Sequence, residues 1–526
     1  MARKTAKQMI NKALLVAPAY LLVLISLFAV AGSNHIHLDV ADLTLLAMGL
    51  LAGFTLFFLL VWRCTADCTA AAKALTYFSL LWLFFIFFAV SGMHYLKARY
   101  DVLMIYGMFA ALAGLLLWKR KALPFTREMQ MILLVFFLIT ISLQLKTILK
   151  ISGSSRQVPL YTDVEDTLPE QAASSLPHVV YIVPDRYASN EALRDFYGYD
   201  NSGFSAALEA RGFHVWERQF SNYPKTFQSM AATLNMNYLD SLADQLGPEE
   251  TSYVPVYRLI NNSQTLRVLR RNGYGYVHMG GQLWEPTRTN RQADHHVTHE
   301  SAFGQFTRKY LSVTPAAFLN TLAGDDMGSL DVCSLISRQA ETIVEMGAQS
   351  PKPLFFFWHL FSIHEPFLYD ENGACRDSWQ YGSASPREHA AQYLHQINAT
   401  NTMLLDVFDR LRSQSKREII FMIVSDEGPR PWNYLRNENL YEFLKAPNDE
   451  LRQKFAIYNA IYLPSGNYEN FAAEQTSINA FRLTFNEIFA ADLPLHEHKS
   501  YSFNRQALPY ALADITSRLR QQESGP

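Results

Sequence analysis

The sequence predicts an α-helical transmembrane anchor of five helices, followed by an α/β domain with a mainly parallel central sheet. Two observations lead to this fold class. Almost all of the excess apolar content of the 526 residues lies before about residue 150. Beyond residue 177, short apolar runs alternate with helical patterns, and this alternation is typical of a parallel sheet with helices on both faces.

Five apolar stretches in the first part of the chain are each close to the ~20 residues that a helix needs to cross ~30 Å of hydrocarbon. They are Ala13 to Ala31, Val40 to Trp62, Ala74 to Tyr95, Val102 to Trp118 and Met129 to Leu149. Lys and Arg are concentrated at the amino terminus and in alternate loops. This pattern indicates a cytoplasmic amino terminus, and an odd number of spans then places everything after Leu149 outside.

We therefore predict a transmembrane domain over residues 1–150, a linker or juxtamembrane segment over 151–176, and an extracytoplasmic domain over 177–526. The predicted strands of that domain are His178 to Val183, Tyr274 to Met279, Leu354 to Leu360, Glu418 to Val424 and Ala456 to Leu463. Helical patterns between them include Asn201 to Arg211, Ser263 to Arg271, Ser334 to Met346 and Arg387 to Arg412. The net charge of −2 gives no reason to propose a nucleic acid as a partner.

Two of the four cysteines, Cys333 and Cys375, fall outside the membrane by this topology. A disulfide can persist there. A pair of buried thiols is the alternative, and we favour the disulfide.

Acidic residues follow two of the predicted strands. Asp426 and Glu427 follow the apolar run that ends at Val424, and Asp185 follows the first strand. The carboxyl ends of parallel strands are where α/β folds place their chemistry, and two adjacent carboxylates at such an end suggest a metal. Asp185 alone also fits a turn or a helix cap.

Two further motifs carry residues suited to catalysis. In the segment NYPKTFQSM, Lys225 and Thr226 precede an apolar helical pattern, where a threonine can also simply cap the helix. In WHLFSIHEPF, His359 lies inside a predicted strand and His364 lies in the loop that follows it. A histidine inside a strand is more often a core residue than a ligand.

In order and strand context, these motifs resemble the alkaline phosphatase and sulfatase superfamily. The resemblance extends to its membrane-bound lipoteichoic acid synthase-like and phosphoethanolamine transferase-like enzymes. It covers roughly residues 177–503 and implies an alkaline phosphatase-like fold. Those enzymes typically have Ser-Asp-His-Gly where this chain has Ser425-Asp426-Glu427-Gly428.

The resemblance implies roles for individual residues. The metal ligands would be Asp185, Thr226, Asp426 and Glu427, and Thr226 would also be the nucleophile. His364 would contact the phosphoryl group or act as general acid. Apart from the resemblance, we predict His359 and Lys225 as further substrate-binding residues. The metal would be Zn or Mn, with Mg possible. The carboxylate of Glu427 in place of an imidazole shifts the preference toward harder ions.

The implied function is transfer of a phosphoglycerol or phosphoethanolamine group from a phospholipid donor to an envelope glycan or lipid. The reaction would pass through a phospho-threonine, in a multi-pass protein of the bacterial inner (cytoplasmic) membrane with its catalytic domain on the periplasmic or extracellular side. Two alternatives stay open: a metal-dependent phosphodiesterase or sulfatase-like hydrolase, and an inactive binding protein in envelope assembly. A sulfatase is the weaker alternative, because neither Cys333 nor Cys375 lies in a Cys/Ser-x-Pro-x-Arg motif.

Overall fold

The computed structural model describes most of the chain beyond residue 176 and two stretches near the amino terminus. The described residues are 16–28, 30–31, 40–92, 135, 139, 142, 160–168, 176–281, 285–298, 305–314, 316, 332–380, 385–472 and 475–521. They belong to two compact units. One comprises Met1–Gly153 with Ser301–Leu330, and the other comprises Ser154–Glu300 with Asp331–Pro526.

The helices and strands are numbered in chain order over the described residues. The helices are α1 Val16–Phe28, α2 Val40–Thr65, α3 Cys68–Gly92, α4 Asn190–Tyr197, α5 Ser202–Glu209, α6 Thr226–Asn235, α7 Asp240–Leu246, α8 Val254–Asn261, α9 Gln264–Arg271, α10 Glu285–Arg288, α11 Gln305–Ser312, α12 Val332–Gln349, α13 Pro386–Gln414, α14 Trp432–Arg436, α15 Asn448–Phe455, α16 Ala480–Phe489 and α17 Thr516–Arg520. Short 3₁₀ helices cover Glu438–Leu440, Phe443–Lys445 and Ser477–Asn479. The strands are β1 His178–Pro184, β2 His214–Val215, β3 Gly275–Met279, β4 His295–His296, β5 Leu354–Leu360, β6 Phe367–Tyr369, β7 Cys375–Gln380, β8 Ile419–Val424, β9 Asn459–Tyr462, β10 Tyr501–Ser502 and β11 Ala513–Asp514.

The first unit contains the apolar helices α1, α2 and α3 together with the later helix α11. Asp42, in the first turn of α2, accepts hydrogen bonds from the backbone amide and hydroxyl of Thr307, at 3.0 and 2.5 Å. The buried hydroxyl of Tyr310 lies 2.8 Å from the Ser26 hydroxyl and accepts from the Trp82 indole at 3.0 Å. Helix α11 is thus held by polar contacts to all three apolar helices, although it lies within the range 177–526.

The predicted membrane anchor lies partly within the described residues. Within the described ranges, Asp42–Thr65 is the one helix that is long and apolar enough to span a bilayer. The first three predicted spans correspond to α1, α2 and α3. The fourth span, and all but three residues of the fifth, lie outside the described residues. The count of five spans therefore stays a prediction.

The second unit is built on a seven-stranded sheet with the order β2-β9-β8-β1-β5-β3-β4. Strand β1 pairs in parallel with β8 and β5, and β3 pairs in parallel with β5 and β4. Strand β9 is antiparallel to both of its neighbours, β8 and β2. The predicted mainly parallel sheet is thus confirmed. All residues of β1, β5 and β8 are buried, which explains why their sequences are nearly continuous apolar runs.

Aromatic side chains fill much of the core beside this sheet. Tyr181 of β1 packs against Phe357 of β5 and Phe481 of α16, with ring centroids 5.9 and 4.9 Å apart. The same core includes Phe227, Met230, Ala231, Ala232 and Leu234 of helix α6. A rigid sheet and a buried helix therefore support the residues that follow β1 and precede α6.

Cys333, at the start of α12, forms a disulfide with Cys375, the first residue of β7. This confirms the bond that the sequence favoured. Cys64 and Cys68 are not disulfide-bonded.

Two buried histidines of the sheet lead to a prediction about stability in acid. Burial, followed by the nearby charge of Arg417, lowers the pKa of His178 to about 4, and burial lowers the pKa of His278 to about 3. Each pKa lies below the 6.5 expected for an exposed histidine, so the unfolded chain takes up these protons first as the pH falls. The stability that each neutral ring provides is complete above about pH 6.5 and is lost as the pH falls toward the folded pKa.

The wild-type free energy of unfolding should fall as the pH drops below about 6. We therefore expect this fall to be less steep in His278→Gln, by about 1.4 kcal/mol per pH unit. The measurement is denaturant unfolding of the detergent-solubilised chain between about pH 7 and about pH 5. His295→Gln, which replaces an exposed histidine on the neighbouring strand β4, is the matched control for the loss of a histidine from this sheet. An unchanged slope in His278→Gln would contradict the prediction.

Candidate metal centre

The three central parallel strands end at one edge of the sheet, and each brings a potential metal ligand to that edge. Asp185 follows β1, Asp426 and Glu427 follow β8, and His359 is the next-to-last residue of β5. Strand β1 lies between the other two, and Val183 pairs with His359. The register of the sheet therefore brings these side chains together.

Ser425 and Gly428 shape the loop that follows β8. The Ser425 hydroxyl donates to the carbonyl oxygen of Pro184 at 2.9 Å and accepts from the amide of Tyr187 at 3.0 Å, so it joins the ends of β8 and β1. A Cβ at Gly428 would lie 2.4 to 2.8 Å from the carbonyl oxygens of Gln453, Lys454 and Ala456. Only glycine allows this approach, which brings Lys454 beside the loop.

Asp185, His359 and Asp426 form the group most suited to a metal. One donor atom of each residue lies within 4.8 Å of the others, and all three side chains are buried. His359 Nε2 is 3.6 Å from Asp185 Oδ2, and its Nδ1 is 2.6 Å from the hydroxyl of Thr287. A partner on one ring nitrogen fixes the orientation of the other nitrogen, as is usual for metal-binding histidines.

The electrostatics of this group fit a divalent cation. Burial, followed by the charges of Asp185 and Glu427, raises the pKa of Asp426 well above its usual value. Burial acts in the same direction on Asp185, but His364, His359 and Arg186 together hold the pKa of Asp185 below its usual value. Among the described residues, no hydrogen-bond partner faces Asp185 Oδ1 or Asp426 Oδ2. Buried carboxylate oxygens of this kind need a positive charge, and carboxylate oxygen with imidazole nitrogen is a ligand set that zinc accepts.

Thr226 lies next to this group. It is the first residue of α6, it is half-buried, and its hydroxyl is close enough to Asp426 to lower the pKa of that carboxyl. The remainder of α6 is buried. Ser229, one turn further on, is buried and donates to the carbonyl oxygen of Tyr223 at 3.1 Å. On this helix, Thr226 is thus the accessible hydroxyl beside the carboxylates.

His364 and Lys225 also lie near the carboxylates. Burial and then the charge of Arg186 lower the pKa of His364 to about 4, and its Nδ1–H donates to the carbonyl oxygen of Glu365. The half-buried ring therefore presents an unprotonated Nε2 at neutral pH. Burial lowers the pKa of Lys225 to about 8, and its ammonium lies 3.1 Å from Glu438.

Glu427 is not a member of the group formed by Asp185, His359 and Asp426. Its Oε1 lies 2.7 Å from Lys454 Nζ and 3.1 Å from Arg186 Nε. Burial would raise the pKa of Glu427, but Lys454 and then Arg186 hold it below its usual value. The residue that departs from the superfamily pattern is thus an ionised carboxylate bound by two cations.

Sequence reasoning missed Arg186, Lys454 and Thr287, and it assigned His359 to substrate rather than to the metal group. The sequence did contain a signal for Lys454. This lysine directly precedes an apolar run, and a lysine is almost never fully buried unless its charge is paired. Thr287 gave no signal, since it lies in a polar segment far from any recognised motif.

Most of the second unit matches a known family. The sulfatase family model matches residues 177–504. The chain therefore belongs to the sulfatase family, within the alkaline phosphatase superfamily, as the sequence predicted. Family membership does not by itself assign sulfatase activity. Comparison with curated proteins gives no match.

Several solved structures are similar to the chain, with TM-scores below 0.5. The zinc complex of the periplasmic domain of EcEptC from Escherichia coli is 11% identical, with a TM-score of 0.42, covering 66% of this chain and 95% of that one. The integral membrane lipooligosaccharide phosphoethanolamine transferase A from Neisseria meningitidis is 13% identical, with a TM-score of 0.40, covering 90% and 95%. The soluble domain of the Neisseria enzyme is 12% identical, with a TM-score of 0.39, covering 64% and 99%.

The contact between Thr287 and His359 gives a prediction about metal affinity. In Thr287→Val the hydroxyl that orients the imidazole is lost, and we expect the affinity for Zn²⁺ to fall about 10- to 100-fold. Competition with a chromophoric chelator on the detergent-solubilised chain measures this affinity. Thr289→Val, at an exposed position on the same segment, is the matched control. Equal affinities for both variants would mean that Thr287 does not orient a ligand.

Proposed function

We propose that the protein is a membrane-bound, metal-dependent transferase. It moves a phosphoglycerol or phosphoethanolamine group from a phospholipid to an envelope glycan or lipid through a phospho-threonine at Thr226. The observation that carries the proposal is the position of Thr226: a half-buried hydroxyl at a helix amino terminus, close enough to Asp426 of the buried group to lower the pKa of that carboxyl. This combination supplies a nucleophile, a cation site and backbone amides for phosphate oxygens.

The reaction has two half-reactions. First, Thr226 Oγ1 attacks the phosphorus, the bond from phosphorus to the diacylglycerol oxygen breaks, and the threonine proton ends on the released diacylglycerol. Then an acceptor hydroxyl attacks the phospho-threonine, and its proton returns to Thr226. A divalent metal bound by Asp185 and Asp426 would make the threonine hydroxyl easier to ionise and would offset negative charge on the phosphoryl group.

His364 suits a role in proton transfer. Its Nδ1–H is committed to the carbonyl oxygen of Glu365, so the neutral ring offers Nε2 as a proton acceptor. We propose that Nε2 takes the proton of the acceptor hydroxyl in the second half-reaction. Lys225, beside Thr226, is proposed to contact the oxygens of the transferred group, since its ammonium provides donors and positive charge.

The apolar helices support a donor that is delivered from a bilayer. Leu45, Leu56 and Leu60 of α2 are 65%, 67% and 63% exposed, and side chains of this kind are suited to lipid. We propose that the protein lies in the bacterial inner membrane, with residues from 177 onward on the periplasmic or extracellular side. The divalent metal is proposed to be zinc or manganese, with magnesium possible.

The first half-reaction tests the assignment of Thr226 without knowledge of the acceptor. Purified protein is mixed with vesicles of phosphatidylethanolamine or of phosphatidylglycerol, and diacylglycerol release and the mass of the phosphorylated peptide are measured. We expect Thr226→Ala to lose the covalent adduct and to slow diacylglycerol release by roughly a thousandfold or more. Thr226→Ser should restore part of the activity, because it keeps a hydroxyl.

Ser229→Ala is the matched control on the same helix and should form the adduct. Diacylglycerol release by Thr226→Ala at the wild-type rate would show that Thr226 is not the nucleophile. A third outcome is that diacylglycerol and free head-group phosphate are released but no acceptor product forms in cell envelopes. This outcome would indicate a hydrolase. The vesicle that yields the adduct identifies the head group.

A further inference from the structure

Three buried side chains form an ion cluster beside the proposed metal. Glu427, Lys454 and Arg186 are 2%, 1% and 4% exposed. Lys454 Nζ lies 2.7 Å from Glu427 Oε1, which is the length of a charge-assisted hydrogen bond, and Arg186 Nε lies 3.1 Å from the same oxygen. A buried ammonium is costly unless it is paired. Glu427 is thus the anion that allows Lys454 to be charged in this position.

The backbone is built to keep these partners together. The amide of Gly428 donates to the carbonyl oxygen of Lys454 at 2.8 Å, and a side chain at 428 would collide with that segment. Arg186 has a φ of 69°, a left-handed conformation that costs a non-glycine residue of order 1 kcal/mol or more. Its carbonyl accepts from the Tyr393 hydroxyl at 2.8 Å, and its guanidinium also pairs with Glu365.

The imidazole that the superfamily places after the aspartate is supplied from another strand here. His359 of β5, not residue 427, belongs with Asp185 and Asp426 to the group whose donor atoms lie within 4.8 Å. Thr287 holds the other ring nitrogen of His359. Glu427 Oε1, in contrast, is already bound by two cations. Glu427 Oε2 has no hydrogen-bond partner among the described residues, but Glu427 is not in the group whose donor atoms lie within 4.8 Å of one another.

We infer that Glu427 is not a metal ligand but the counter-ion that fixes Lys454 and Arg186 beside the metal, and that His359 completes a ligand set with Asp185 and Asp426. The two cations are positioned to offset charge on the oxygens of the transferred group, without binding metal themselves. The inference rests on the proposed function for the presence of a metal. It replaces Glu427 by His359 in the predicted ligand set.

Zinc binding of the full chain in detergent tests the inference. After chelation and gel filtration, zinc content is measured by mass spectrometry and affinity by chelator competition for wild type, His359→Gln, Glu427→Gln and the double variant Glu427→Met/Lys454→Met. We expect His359→Gln to lose at least about 100-fold in affinity, since it removes a ligand. Glu427→Gln should change the affinity by less than about tenfold and should lower the unfolding temperature, because Lys454 is left unpaired.

The double variant serves as the test if Glu427→Gln does not fold. It removes both charges together, and the replacement of a buried ion pair by apolar side chains is often tolerated. It should bind zinc like wild type but release diacylglycerol at least about tenfold more slowly. Loss of zinc in the double variant, or unchanged affinity in His359→Gln, would overturn the inference.

The outcomes also separate the inference from the proposed function. If the wild-type protein binds zinc through His359 but forms no phospho-threonine, the proposed transferase activity is wrong and the assignment of His359 as a ligand still holds. Wild type that binds neither zinc nor manganese would overturn both.

Discussion

The burial of three carboxylates at one edge of the sheet is the constraint on which the rest of the site depends. Asp185, Asp426 and Glu427 are each at most 4% exposed, and the first two lie within reach of a common cation. Removing ionised carboxylates from water costs several kcal/mol for each group unless positive charge compensates. Lys454 and Arg186 compensate Glu427. A divalent cation is the remaining charge that Asp185 and Asp426 call for.

This constraint divides the site into a fixed part and an accessible part. The three carboxylates and Arg186 follow buried strands, so their positions are set by the register of the sheet. Lys454 is held beside them by the contact of its helix with Gly428. Thr226 and His364 lie at a helix amino terminus and in a loop, and both are half-buried. The fixed groups can therefore hold ions, while the accessible ones can meet a substrate. Such a division suits catalysis, because preorganised charges need no rearrangement during the reaction.

The sequence was sufficient for the elements with strong periodic or apolar signals. Strands β1, β5 and β8 were predicted within one residue at each end, because strands buried on both faces are continuous apolar runs. Strands β2 and β4, of two residues each, were missed because so short a run has no pattern. The position of His359 beside Asp185 was missed for a related reason. An imidazole inside an apolar strand looks like a core residue until the sheet register brings Asp185 beside it.

The pairing of Glu427 with Lys454 could not be predicted, since the two residues are distant in sequence and come together where Gly428 packs against the backbone at Lys454. It changes how the departure from the superfamily pattern is understood. If glutamate had simply replaced a ligand, restoring histidine at 427 would repair the site. Here Glu427→His would leave the buried ammonium of Lys454 facing a neutral ring and would place a second imidazole near the one supplied by His359. The departure thus involves a set of residues, and a single reversion would disturb the charge balance that the others maintain.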